Sequence, residues 1–328
     1  MGARITGTGS YLPEKVVTND DLAKSLDTSD EWIFSHTGIR SRHIAGAGES
    51  TASMSAEAGR RALAAAGVEP EEVGMVIVAT STPDYATFPS TACLVQDALG
   101  CVNAGAFDLQ AACAGFIYAL EAGRCLALAN PARPVLVIGA ETLSRVTDWS
   151  DRGTCILFGD GAGAAVVKAV SGDSLWRSSL HADGSGAQFI YRDGGTRPGP
   201  DGAPFPSAPL VMKGRNVYNF AIKALEDVTR RLCASAGCAP SDLSRIFAHQ
   251  ANGRIIEAVA RRMELPLSKF FLNIETTGNT SAASIPVALD QAVRAGELSA
   301  GDRIVLCGFG AGLTFGGTIL DWPGGVAG

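Results

Sequence analysis

The stretch "RALAAAGVEPEEVGMVIVATS", residues 61–81, is answered 170 residues later by "RLCASAGCAPSDLSRIFAHQA", residues 231–251. Arg61, Ala64, Ala66, Gly67 and Pro70 recur as Arg231, Ala234, Ala236, Gly237 and Pro240. Each stretch reads as apolar helical periodicity stopped at a glycine, then a proline turn with an acidic residue, then a short apolar run that predicts a buried strand. The correspondence continues in order. "ARPVLVIGAE" (132–141) aligns with "DRIVLCGFGA" (302–311) at the same offset, and "GAAVVKA" (163–169) resembles "GGTILDW" (316–322) as the closing strand of each half. Between these lie two loop-then-helix segments, "DLQAACAGFIYALEAGRCLALA" (108–129) and "IETTGNTSAASIPVALDQAVRAG" (274–296). The pattern predicts an α/β protein built from one duplicated unit with a mixed sheet in each half, 1–170 and 171–328.

The bulk numbers fit a large folded core. The chain has 328 residues, 46% of them hydrophobic and only 18% charged, which argues against disorder. A net charge of −6 carries no nucleic-acid footprint. No uncharged apolar run reaches the roughly 18 residues that would span a membrane, so no membrane partner is expected. The N-terminal "MGARITGTGSYLP" fits the loose acylation pattern at Gly2 and Thr6, but it reads better as a strand and its exit turn, without a secretion signal. The eight cysteines form no CxxC pair and show no zinc spacing, so a reduced, cytoplasmic protein without a metal site is expected.

Three residues stand out as chemistry. Cys113 precedes "AGFIYALEAGRCLALA", apolar nearly all round and therefore a buried helix. Its N-terminus carries a positive partial charge that favours a thiolate. As a free cysteine it also fits a plain core position. His249 ends the strand corresponding to the one ending at Ala79, followed by Gln250 and Asn252 and a helix with Ile255, Ile256, Val259 and Met263 on one face. It also fits a satisfied core histidine. Asn279, in "TTGNTSAASIPVAL", is good turn chemistry and is read as occupying the position equivalent to Cys113. If the halves pack about a pseudo-twofold axis, these three converge on one cleft. The glycine clusters "FGDGAGAA" (158–165) and "CGFGAGLTFGG" (307–317) are followed by strands rather than helices, which excludes a dinucleotide fingerprint. Such turns can still expose a backbone N–H.

These motifs, with "DEWIFSHTGIRSRHI" (30–44), "ATSTPDYATFPSTACLVQ" (79–96), "DRGTCILFGDGAGA" (151–164) and "HQANGRII" (249–256), resemble the β-ketoacyl-ACP synthase III family of the thiolase superfamily over essentially the whole chain. The resemblance implies an αβαβα sandwich, a homodimer and a Cys113–His249–Asn279 triad, with the N–H groups of Cys113 and Ala311 as the oxyanion hole. It implies coenzyme A contacts at Thr28, Trp32, His36, Arg152, Tyr218 and Arg254, and an aromatic, Phe88, reaching the partner's acyl pocket. His36 stands where many relatives have Arg, Ala311 where Gly is common, and Phe315 where Trp is common. Coenzyme A thioesters are substrates, and no cofactor is implied.

The implied reaction is acyl transfer from acyl-CoA to Cys113, then condensation with malonyl-ACP after decarboxylation. Decarboxylation makes a carbanion without removing a proton, so two neutral donors suffice. Cys307 lies too early for the second catalytic cysteine of a thiolase, and no Glu near Thr80 and Ser81 in sequence supports a hydroxymethylglutaryl-CoA synthase. An acidic carrier protein needs a basic patch on this acidic chain, for which Lys213, Arg215, Arg254, Arg261 and Arg262 are candidates. Primer choice is expected to lie with Phe88, Tyr118 and Leu313. Two rivals remain open: a same-scaffold enzyme of polyketide or quinolone-like metabolism, and a non-catalytic partner, which should lack the triad.

Overall fold

The computed structural model describes residues 1–172, 174–193 and 208–324. Its first sheet contains β1 (Gly2–Tyr11), β2 (Met75–Ala79), β3 (Gly105–Leu109), β4 (Val135–Glu141) and β5 (Gly161–Val170), in the order β1-β5-β4-β2-β3. The second contains β6 (Trp176–Ala182), β7 (Arg245–Ala248), β8 (Arg303–Gly310) and β9 (Thr314–Asp321), in the order β6-β9-β8-β7. In both, two antiparallel pairings are followed by a parallel one. The partner of β3 in the second half shrinks to a single parallel bridge between Ile246 and Phe270.

The helices make five layers of this. Helices α1 (Thr51–Ala66) and α2 (Thr91–Leu99) cover one outer face, and α4 (Gly214–Ser235) and α5 (Gly253–Met263) the other. Helices α3 (Gly115–Ala129) and α6 (Ser284–Arg294) lie between the sheets. Strand alternation explains why both sheets read as continuous apolar runs. Ile77, Val135, Val137, Ile304 and Leu306 face the central layer, Val76, Leu136 and Ile138 face the helices of the first half, and Val305 and Cys307 those of the second. The span Ala112–Ala129 is apolar and long enough to cross a membrane by length and composition. Here it is the central helix, with Phe116, Ile117 and Leu120 fully buried and its Glu121–Arg124 pair at 2.6 Å.

The helix-stop and proline-turn expectations hold. Gly67 and Gly237 sit at φ of 56° and 67°, and Pro70 and Pro240 each open a short 3₁₀ turn. The register of the later strands does not follow the 170-residue offset. Ile77 lies beside Val137 and Phe247 beside Leu306, so Val137 corresponds to Leu306, one residue short of that offset. At the full offset Val135 would match Val305, yet these face opposite layers. A deletion of one residue in the connecting loops leaves the strand pattern recognisable but inverts which face each residue lines.

Candidate active site

The turns leading into α3 and α6 carry the same register correction. Ala112 and Ser281 both take left-handed φ values, 47° and 49°, and each opens a 3₁₀ turn, Ala112–Ala114 or Ser281–Ala283. Cys113 therefore corresponds to Ala282, and Asn279 to Gln110. The equivalence of Cys113 with Asn279 is corrected, because a two-strand match cannot fix loop register. Their convergence stands. Cys113, His249, Asn279 and Ala311 all line one cavity of about 190 Å3. Its apolar wall includes Leu143, Phe158, Ile190, Met212 and Phe309.

Each polar side chain is held by backbone. Gly310 lies against Cys113, where a Cβ would come within 2.6 Å of the Cys113 nitrogen. His249 follows β7, its N–H donating to the Cys307 carbonyl at 2.8 Å. Gln250 couples it to the Asn279 segment: its Oε1 accepts from the N–H groups of Asn273 and Ile274, both at 3.0 Å. Gly278 takes φ 64° and ψ −166°, a region open to glycine. Asn279 then bonds across to the loop before β5, its N–H to the Leu157 carbonyl at 2.8 Å and its own carbonyl from Gly159 N–H at 3.0 Å.

Cys113, His249 and Asn279 meet in the cavity as uncharged groups. Asn279 Oδ1 accepts from Ser281 N–H at 2.9 Å, which leaves its amide N–H groups for the cavity. His249 is fully buried and neither ring nitrogen has a partner among the described residues. Burial alone holds its imidazole down to about 3, so it is uncharged. Burial pushes the Cys113 thiol up to about 12, with the nearby Ser281 hydroxyl opposing the shift. Against the expected resting thiolate, desolvation favours the neutral thiol. The backbone N–H groups of Cys113 and Ala311 have no backbone acceptor among the described residues, so both can serve an anionic oxygen.

Two expectations about neighbours also change. A carboxylate does stand at Thr80 and Ser81: fully buried Glu141, from the end of β4, accepts from Ser81 N–H at 3.1 Å, from Thr82 Oγ1 at 2.5 Å and from Ser281 Oγ at 3.0 Å. It comes from a neighbouring strand, so proximity in sequence could not reveal it. Tyr118 and Leu313 do not line the cavity. The Tyr118 hydroxyl donates to the His181 carbonyl at 2.6 Å, and Leu313 is packed into the outer core of the second half.

The remaining candidates form a separate cluster at the rim. Trp32 stacks on His36 with ring centroids 4.2 Å apart, and the Arg152 guanidinium lies 4.7 Å over the Trp32 ring. Arg254 donates to the carbonyls of Ser35 and Phe34 at 2.9 and 3.2 Å, closing the end of the same helix, Asp30–Thr37. Thr28 Oγ1 is buried without a partner among the described residues, and Tyr218 packs against the outer core of the second half. Phe88 is 83% exposed. The loop before it, with Pro83, Asp84 and Tyr85, lines a second cavity of about 740 Å3 that shares Ser81 and Gln110 with the first. Of the docking candidates, Arg254 pairs with Glu257 and Arg262 with Glu226, both at 2.6 Å. Lys213, Arg215 and Arg261 are exposed.

A duplicated five-layer sandwich, with a cysteine at the start of one central helix and a histidine and an asparagine brought to it by the other half, defines the thiolase-like class. Two family models match within it: 3-oxoacyl-[acyl-carrier-protein (ACP)] synthase III over residues 107–184 and its C-terminal part over residues 233–322. The chain is 48% identical to β-ketoacyl-[acyl-carrier-protein] synthase III of Xanthomonas axonopodis pv. citri, covering 98% of both chains. It resembles the crystal structure of the Thermus thermophilus β-ketoacyl-[acyl carrier protein] synthase III with a TM-score of 0.92 at 44% identity, covering 98% of this chain and 99% of that one. The priming β-ketosynthase of the R1128 polyketide pathway matches with a TM-score of 0.90 at 38% identity, covering 98% and 97%. The chain belongs to the β-ketoacyl-[acyl-carrier-protein] synthase III family.

Proposed function

We propose that the protein is a 3-oxoacyl-ACP synthase III that starts fatty acid synthesis by condensing an acyl-CoA primer with malonyl-ACP. In this reading the half 1–170 supplies the nucleophile and the half 171–328 the donors. The Cys113 sulfur attacks the acyl-CoA carbonyl while the N–H groups of Cys113 and Ala311 hold the oxyanion, one such donor contributing about 3 kcal/mol. Coenzyme A leaves. The malonyl thioester carbonyl then accepts hydrogen bonds from His249 and Asn279, and loss of CO2 leaves an enolate at that oxygen. Its carbon attacks the acyl-cysteine. The observation that carries this reading is the fully buried His249, its two ring nitrogens unpartnered among the described residues, on the same cavity as Cys113 and Asn279. A neutral imidazole has one N–H to donate and adds no charge beside the substrate carboxylate.

Trp32, His36 and Arg152 offer an aromatic and cationic rim for a nucleotide diphosphate, with Thr28, Tyr218 and Arg254 beside the path. Lys213, Arg215 and Arg261 carry no ion pair among the described residues and suit an acidic carrier protein. Phe107 is exposed on the edge strand β3, and Tyr85 and Phe88 are exposed in the loop before α2; an open edge of this kind suits a homodimer that continues the sheet. Eight free thiols fit the reducing cytoplasm. A polyketide-priming role would use the same residues, and the higher identity to fatty-acid enzymes favours the primary pathway. His249→Ala tests the division of labour: it still acylates Cys113 but loses malonyl-ACP decarboxylation. Retained decarboxylation would remove His249 from this role.

A further inference from the structure

Glu141 is fully buried at the end of β4. Its hydrogen-bond partners among the described residues are the Ser81 N–H and the hydroxyls of Thr80, Thr82 and Ser281, none of them a cation. Burying a carboxylate without a counter-charge is costly, so a fold keeps one where it has work. Ser281 Oγ has a single proton. It donates this proton to Glu141 Oε1 at 3.0 Å, and Ser281 lines the same cavity as Cys113. A hydroxyl committed to a carboxylate can only accept from a thiol. Neither group is repeated in the other half: Gly310 of the second half corresponds to Glu141, and Ala112 of the first, with the same left-handed backbone, to Ser281. The turn and strand end therefore form without a carboxylate or a hydroxyl.

We infer that Glu141 is the base that removes the Cys113 proton, with Ser281 as the relay between them. The inference rests on Cys113 being the acyl-accepting nucleophile. The thiol proton passes to Ser281 Oγ as the Ser281 proton passes to Glu141, leaving a thiolate that accepts from Ser281 beside a neutral Glu141. The sulfur lone pair forms the C–S bond to the acyl carbonyl, and the bond to coenzyme A breaks with its pair on the leaving sulfur, which takes a proton from solvent. In the second half-reaction the new C–C bond expels the Cys113 sulfur as a thiolate, and the proton held by Glu141 returns to it through Ser281. Glu141 stays neutral while the malonyl carboxylate and the enolate are present. His249 is the alternative base, but burial leaves it weakly basic.

Other titratable groups border the relay. Cys113, Tyr191, Arg192 and His249 line the first cavity, and Asp84, Tyr85, Asp108 and Arg145 the second, beyond Thr80 and Ser81. All of them remain in Glu141→Gln and Ser281→Ala. An inflection lost from both variants therefore belongs to the relay.

The test measures Cys113 alkylation by iodoacetamide from pH 5 to 10, and the burst of coenzyme A release from acyl-CoA, in the wild type and both variants. Burial pushes Glu141 up to about 7, so wild-type alkylation should rise through an inflection near that pH. Both variants should lose this inflection, with the burst rate at neutral pH falling about 100-fold, the lower range for acid–base groups. A structural role would lower rates without moving the profile. Wild-type inflections in Ser281→Ala overturn the relay, and this variant decides the matter if Glu141→Gln does not fold. A wild type that alkylates with the inflection yet takes no acyl group from acyl-CoA would overturn the proposed function while leaving the relay in place.

Discussion

Ala112 and Ser281 hold the same left-handed backbone, φ 47° and 49°, at corresponding turns of the two halves. A non-glycine residue there costs about 1–2 kcal/mol, and the fold bears this twice. The turn sets the next residue at the start of a central helix, against the end of the opposite sheet. In the first half that residue is Cys113. In the second it is Ala282, and Ser281 before it lines the same cavity as Cys113. The site is thus made from one turn used twice with different side chains.

The fit at this turn can be tested through Gly310. An added Cβ would lie 2.6 Å from the Cys113 nitrogen and 3.1 Å from the Ala112 Cβ. Gly310→Ala should displace the nucleophile and slow acylation by about 100-fold, with an overpacking cost of about 1–3 kcal/mol in urea melts. Acylation at the wild-type rate would show that Cys113 does not depend on this contact.

Two buried groups give opposite pH slopes. His249 is held down to about 3 from its ordinary 6.5, so from pH 6.5 down to about 3 the unfolded chain binds a proton that the native state refuses. Stability from this group falls on acidification. Glu141 is pushed up from 4.5 to about 7, so between these values the native state holds a proton that the unfolded chain has lost. Stability from this group falls as pH rises. The slopes are each about 1.4 kcal/mol per pH unit and cancel between pH 4.5 and 6.5. Relative to wild type in that window, Glu141→Gln should gain stability with rising pH and His249→Ala should lose it. Parallel urea-melt profiles for all three proteins would rule out these ionisations.

At the rim, Trp32 carries both the His36 ring and the Arg152 guanidinium. Trp32→Ala should raise KM for acyl-CoA about tenfold or more, since base stacking on an aromatic contributes about 1–3 kcal/mol, and leave decarboxylation of malonyl-ACP by the preacylated enzyme unchanged. An unaltered KM would place the adenine elsewhere.

The duplication was legible because both sheets are buried on both faces, so their strands stay apolar, and because Gly67, Gly237, Pro70 and Pro240 mark the same turns. Cys113, His249 and Asn279 stood out as polar or reactive residues at the ends of apolar segments. The loop register was not legible: one residue lost between strands changes which positions face each other without disturbing the pattern. The role of Glu141 is not legible in "VLVIGAE", which reads as a buried strand with a polar end; only the neighbouring strand reveals what its carboxylate meets. The thiol's neutrality likewise depends on burial by residues far apart in sequence.

The central claim is that Cys113 carries the acyl group. Mass spectrometry of the intact protein and its peptides, after incubation with a panel of straight and branched acyl-CoAs, measures this directly. A gain equal to one acyl group on the peptide containing Cys113, absent from Cys113→Ala, is the predicted result, and the acyl group that reacts fastest names the primer. No gain with any acyl-CoA, or an unchanged gain in Cys113→Ala, would contradict it.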